Sequence, residues 1–255
     1  MESEQSFETI QPMPVFDKLA GFFLSPGKVF DNIANSGLTT STWLVPWILS
    51  VLMSIFTGQL ILGNPSLSGQ LQETLRKQFD ELMHESIVKG DATQQEADEQ
   101  FALFGTPGSP LFMLVSVGGA VFGSLATLFA VSFFCLLLGR SAMNAAAPYM
   151  KVVEVIGLAF LIDFVERIVT TGLMFLTDSI LASPSLALFL LPDIDLESKV
   201  HVAMSKLNAF TFWKIGIVSL GLAQLFRRDF PKVLVLIVAL WILWSFFSLF
   251  TGLPG

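Results

Sequence analysis

Residues 43–62 read WLVPWILSVLMSIFTGQLIL, without a charged side chain. At ~1.5 Å per residue, about 20 such residues cross a hydrocarbon core of ~30 Å. Trp43 and Trp47 stand one helical turn apart at the start, where an interfacial aromatic belt is expected. Further apolar runs follow at about 111–138, 151–181, 209–226 and 232–250. The reading is an all-α, polytopic membrane protein: a five-helix transmembrane bundle with interfacial amphipathic helices and an extramembrane helical hairpin.

Composition agrees. Of 255 residues, 53% are hydrophobic and 14% charged, and the mean hydropathy is +0.69. Soluble domains carry roughly 25% charged residues. Phe occurs 25 times and Tyr once, so the aromatic side chains serve apolar surroundings. A net charge of −7 argues against nucleic acid, which requires clustered Lys and Arg. The single cysteine, Cys135, lies in an apolar run and reads as a small core residue. The opening MESEQSFETI lacks a basic and then apolar leader, so the first apolar run is expected to be its own insertion signal.

The segment 1–42 reads as a cytoplasmic N-terminal region. In PVFDKLAGFFL, residues 14–24, Val15, Phe16, Leu19, Phe22 and Phe23 share a helical face, with Asp17 and Lys18 outside it. The run is too short to span and predicts a helix lying in the interface. Ser25-Pro26 resets the chain for a second short helix carrying Val29, Phe30 and Ile33. Phe16, Phe22, Phe23, Trp43, Trp47 and Trp213 are the candidate interfacial anchors.

After the first span at 43–62, residues 63–109 are polar and acidic. Leu71, Leu75, Phe79, Leu82 and Met83 follow helical spacing over 69–88, and Gly90-Asp91 interrupts it. Thr93-Gln94-Gln95-Glu96 has the capping-box pattern and opens a helix to about 104. The remainder, 110–255, is a four-helix transmembrane region. Its first span holds Gly119 and Gly123 at GxxxG spacing, a helix-packing pattern expected to act within the chain. LALFLLP, 186–192, is too short to cross and reads as interfacial or re-entrant. A short amphipathic helix is expected from Asp195 through Leu196, Val200, Met204 and Leu207. The tight RRDFPK connection makes the last two spans an antiparallel pair.

Lysine and arginine placement sets the expected topology. Lys18, Lys28, Arg140, Lys151, Arg227, Arg228 and Lys232 crowd short flanks on one side, which predicts a cytoplasmic N-terminus and an outer C-terminus.

The segments FLSPGKVFDNIANSG, 23–37, and WLVPWIL, 43–49, resemble the N-terminal signature of bacterial members of the Yip family, the Ypt/Rab-interacting membrane proteins. LNAFTFWKIGIVSLGLAQLF, 207–226, resembles that family's fourth span, with its Asn-x-Phe-x-x-Trp entry. The resemblance covers most of the chain outside the acidic hairpin. It implies five spans, a cytoplasmic N-terminus and no known catalytic residues. Eukaryotic relatives act in vesicle traffic with small GTPases, a partner not carried over to this chain.

One constellation stands out: Asp163, Glu166, Arg167 and Thr170 form a single stripe on the third span. Three charges near the bilayer centre cost roughly 8–10 kcal/mol, and about 14 apolar neighbours return only ~4–8 kcal/mol. The stripe must therefore face the bundle or a watery cavity. Asp163 and Arg167, one turn apart, are expected to pair within the helix. Glu154 is expected to pair with Lys151. His84 and His201 fall on separate segments, and no metal, cofactor or nucleophile motif is present. The expectation is a non-enzymatic scaffold or adaptor whose partners are the lipid bilayer and another membrane protein or a homo-oligomer. The alternative is a transporter or proton relay built on the intramembrane charges.

Overall fold

The computed structural model describes residues 11–191 and 198–251. Among them the chain is all-helical. The N-terminal helices are α1 (Val15–Leu24) and α2 (Pro26–Asn35). They precede α3 (Ser41–Gly63), α4 (Pro65–Lys89) and α5 (Gln94–Phe104). Next come α6 (Pro110–Gly118) and α7 (Ser124–Met143), fused through a π turn at Gly119–Gly123. Then follow α8 (Tyr149–Leu158), α9 (Phe160–Thr177), α10 (Lys199–Lys206), α11 (Ala209–Phe226) and α12 (Phe230–Thr251). Among the described residues, four helices are long and apolar enough to cross a membrane: α3, the fused α6–α7, α11 and α12.

The expected span at 151–181 is not one helix. It breaks at Ala159, whose amide donates to Ile156 three residues back instead of four. The cause lies in the packing of α8 on α3. A side chain at Gly157 would lie 2.8 Å from the Trp43 Cα, so the two backbones nearly touch there. Every residue of α8 from Lys151 to Leu158 is buried.

In lipid the hydrophobic effect does not drive helices together, so close packing and polar bonds hold them. Ser50 donates to the Phe160 carbonyl at 2.7 Å, and Thr57 and Thr171 share a hydrogen bond of 2.8 Å. Both join α3 to α9. Tyr149 donates to the Phe129 carbonyl at 2.8 Å, joining α8 to α7.

Among the described residues, the glycines at 119 and 123 do not seat a neighbouring helix: a Cβ at either would meet nothing within 4 Å beyond its own helix backbone. The π turn carries that register past α3, and Ser124 makes the contact instead, accepting from Trp47 Nε1 at 2.8 Å. Close approach falls at Gly139, against Phe226, and at Gly221, against Val155 and Phe30.

α1 and α2 pack on the bundle with their inner faces. Phe22, Val29, Phe30 and Ile33 belong to the same core as Val152, Ile162, Leu222 and Cys135. Of the expected anchors, Phe22 is therefore a core residue, 1% exposed. Trp43 stacks edge-on against Phe129, and Trp47 turns toward Ser124. Phe16, Phe23 and Trp213 keep exposed surface, and the last two touch each other. Lys18, expected outside the apolar face, is fully buried.

Asn64 caps α4 through the amides of Ser66 and Leu67, and Gly90 ends it in the left-handed region. The Thr93–Glu96 capping box opens α5 as its sequence predicts. Phe79 packs on Phe101, and Arg76 binds Asp98 and Asp80 across the same contact. Residues 186–190 form a 3₁₀ turn beside the Ser185–Asn208 bridge. Asp195 and Leu196, the expected start of the following helix, lie outside the described residues, and α10 begins at Lys199.

Candidate functional site

Asp163 and Glu166 lie in the first two turns of α9, facing α11. Lys214 donates to both Asp163 oxygens, at 2.8 and 2.7 Å, and its ammonium sits 5.3 Å from the Phe160 ring centre. One turn along, Asn208 donates to Glu166 Oε1 at 2.5 Å. Its Oδ1 accepts from the Phe210 amide, so Asn208 also caps α11. The two pairs run in opposite chain order, which sets α11 antiparallel to α9.

This corrects the expected pair within α9. Asp163 pairs with Lys214, not with Arg167. Arg167 is exposed and has no ion pair among the described residues. The physical reason is charge balance: Lys214 has no other salt-bridge partner among the described residues, and its flexible stem crosses from α11 to bring one ammonium to both Asp163 oxygens beside the Phe160 ring.

Two cavities flank α9 and share Phe160, Asp163 and Glu166 as a common wall. The first, about 600 Å³, lies between α3, the π turn and α9. Ser50, Ser54, Thr57, Thr170 and Thr171 give it a hydroxyl lining, and Arg167 stands at its wall. The second, about 490 Å³, lies between α7, α9, α11 and α12. It joins the apolar Val218, Ile237, Leu240 and Trp241 to the polar Lys206, Asn208 and Lys214. Asp163, Glu166, Arg167 and Thr170 thus share the first cavity, as their common stripe predicts. Chemically, these walls can hold a polar or ionic group inside apolar surroundings, with both donors and acceptors in the lining.

A second polar cluster ties the N-terminal helices down. Lys151 Nζ binds Glu154 Oε2 at 2.9 Å, the pair its spacing predicts, and also the Gly37 carbonyl at 2.8 Å. The Thr39 amide donates to the other Glu154 oxygen. Lys18 donates to Thr42 Oγ1 at 2.9 Å. Burial holds the Lys18 ammonium below the ordinary lysine range, against the pull of Glu154 and with the push of Lys151. Glu154 is 1% exposed, so the cluster fixes the α2–α3 connection to α8 from inside the protein.

Lys214, Asn208 and Lys18 are the residues the sequence reading missed. One signal was available for Lys214: a lysine inside an apolar run costs as much as Asp163 does in its own, and opposite charges in two spans match naturally. His84 is exposed, and the described residues contain no group of three potential metal ligands. Comparison with known protein families, with curated proteins and with solved structures gave no match to this chain.

Proposed function

We propose that this chain is a non-enzymatic, five-span membrane scaffold or adaptor of the Yip type, binding other membrane proteins or a second copy of itself and organising the bilayer around it. The observation that carries this reading is the thinness of the bundle. Only 22%, 22% and 11% of the apolar windows of α3, α6–α7 and α12 are buried within the chain. Such helices leave most of their surface to lipid and to partner helices.

In this reading α8 and α9 together make the fifth span, with its charges turned inward, and α4–α5 is the extramembrane hairpin. A cytoplasmic N-terminus fits the basic flanks. Arg228 binds the Met143 carbonyl and Arg140 the Ala147 carbonyl, which gathers the ends of α7 and α11 on one side. The test is crosslinking in native membranes, then purification and identification. A membrane protein or a dimer recurring across preparations supports the reading; random neighbours only would refute it.

A second reading, transport or proton relay, is favoured by the hydroxyl-lined cavity beside Asp163, Glu166 and Arg167. Its test is ion- or pH-driven flux in proteoliposomes. Flux abolished by Asp163→Asn supports it, and no flux above empty liposomes rejects it.

A further inference from the structure

The second cavity has the composition of an amphiphile site. One wall is apolar, built from Val218, Ile237, Leu240 and Trp241 of α11 and α12. The same cavity is lined by four charged groups: Asp163, Glu166, Lys206 and Lys214. Two of them, Asp163 and Lys214, neutralise each other. The other two, Glu166 and Lys206, make no salt bridge among the described residues, and Lys214 and Arg167 act on Glu166 only from farther off. Glu166 is met by the Asn208 amide. Lys206, at the end of α10, is half-buried and makes no ion pair there. Burial alone holds its ammonium below the ordinary lysine range.

A ligand that matches this wall carries one cationic and one anionic group close together, joined to an apolar body. A purely anionic amphiphile would satisfy Lys206 and oppose Glu166. A purely cationic one would do the reverse. We propose that the second cavity binds a zwitterionic phospholipid with a primary-ammonium head group, its phosphate on Lys206, its ammonium on Glu166 and a chain along Leu240 and Trp241. The volume, about 490 Å³, falls within the range of small-ligand sites. The site goes beyond the scaffold reading and does not depend on it.

The test is native mass spectrometry of the purified full chain with phosphatidylethanolamine, phosphatidylcholine or phosphatidylglycerol at equal concentration. Wild type should retain phosphatidylethanolamine over both others. Phosphatidylcholine has no N–H to give Glu166, and phosphatidylglycerol has no ammonium. Lys206→Gln should weaken phosphatidylethanolamine retention roughly tenfold, the factor of one charge-assisted hydrogen bond. Glu166→Gln should erase the preference among the three. Leu240→Trp, which fills the chain slot without touching a charge, should reduce retention of all three. Soluble glycerophosphoethanolamine should not compete at lipid concentrations; effective competition would show a head-group site without a lipid. Equal retention of the three lipids by wild type overturns the proposal, as does undiminished phosphatidylethanolamine retention in Lys206→Gln. If Glu166→Gln fails to fold, Lys206→Gln and Leu240→Trp decide the question, with thermal unfolding confirming that each is native.

Discussion

Neutralising Asp163 should strand Lys214, and the cost can be bracketed from their geometry. The ammonium meets both carboxylate oxygens at 2.8 and 2.7 Å. The side chains are 23% and 36% exposed, the larger value on Lys214. Removing one member of a fully buried pair costs about 3–5 kcal/mol, and exposed pairs are worth at most ~1 kcal/mol. This pair lies between those limits. Asp163→Asn and Lys214→Met should each destabilise by about 2–3 kcal/mol, because the survivor keeps its desolvation penalty. The double change removes both charges, and its loss should fall short of the sum by ~2 kcal/mol. Arg167→Gln should cost under ~1 kcal/mol and add independently to Asp163→Asn, within the ~0.5 kcal/mol expected of uncoupled sites. The measurement is equilibrium unfolding in one detergent at fixed pH, for both cycles in parallel. An additive Asp163/Lys214 cycle beside a coupled Asp163/Arg167 cycle would refute the cross-helix assignment.

Gly157→Ala should destabilise by about 2–3 kcal/mol in the same assay, because its new methyl group meets the Trp43 backbone, which cannot rotate away. Gly119→Ala and Gly123→Ala should be nearly neutral in the monomer, since among the described residues an added methyl group at either would meet nothing within 4 Å beyond its own helix backbone; lowered yield of a crosslinked dimer would assign those glycines to contact between copies. Lys18→Met should change the pH dependence of unfolding. With the folded-state Lys18 value lowered, the unfolded chain binds the extra proton between that value and ~10.4, so wild-type stability rises with pH across that alkaline window, and the variant should lose that rise. In a Cys135→Ala background, an impermeant thiol reagent should label a cysteine at Ser86 from outside and spare one at Ser3; the opposite pattern inverts the proposed topology. Deleting 69–104 should leave a membrane-inserted protein, and loss of insertion would make α4–α5 part of the bundle.

What the sequence disclosed followed from local rules. Hydropathy and length marked five apolar runs, and four of them are helices long and apolar enough to cross a membrane, because lipid forces every backbone group into helix and the apolar run must match the core. The Thr93–Glu96 box opened α5 where its pattern said, since capping depends only on residues three apart. What it concealed depended on neighbours distant in sequence. Lys18 reads as solvated on a helical wheel, and it is buried because α1 meets Thr42 rather than lipid. Phe22 and Trp47 read as belt residues, and they turn inward because α2 and the start of α7 supply partners no local pattern reveals. The break at Ala159 follows from contact between α8 and α3, which the apolar run 151–181 does not encode by itself.

The choice of partner for Asp163 shows how the accounting must be drawn. Counted along one span, α9 carries Asp163, Glu166 and Arg167, so a pair one turn apart looks sufficient. That count leaves a net −1 on α9, from two acids and one base, and it ignores the single +1 of Lys214 on α11. An intrahelical Asp163–Arg167 pair would leave Lys214 alone among apolar side chains, at roughly 2.5–3.5 kcal/mol. Pairing Asp163 with Lys214 instead removes that penalty and stitches two helices that lipid would not otherwise hold together. It also leaves Glu166 and Arg167 as the charges bordering the first cavity, balanced in sign, with Glu166 alone reaching the second. Charge balance over the whole bundle, rather than within one helix, thus decides which groups are structural and which remain to meet a ligand.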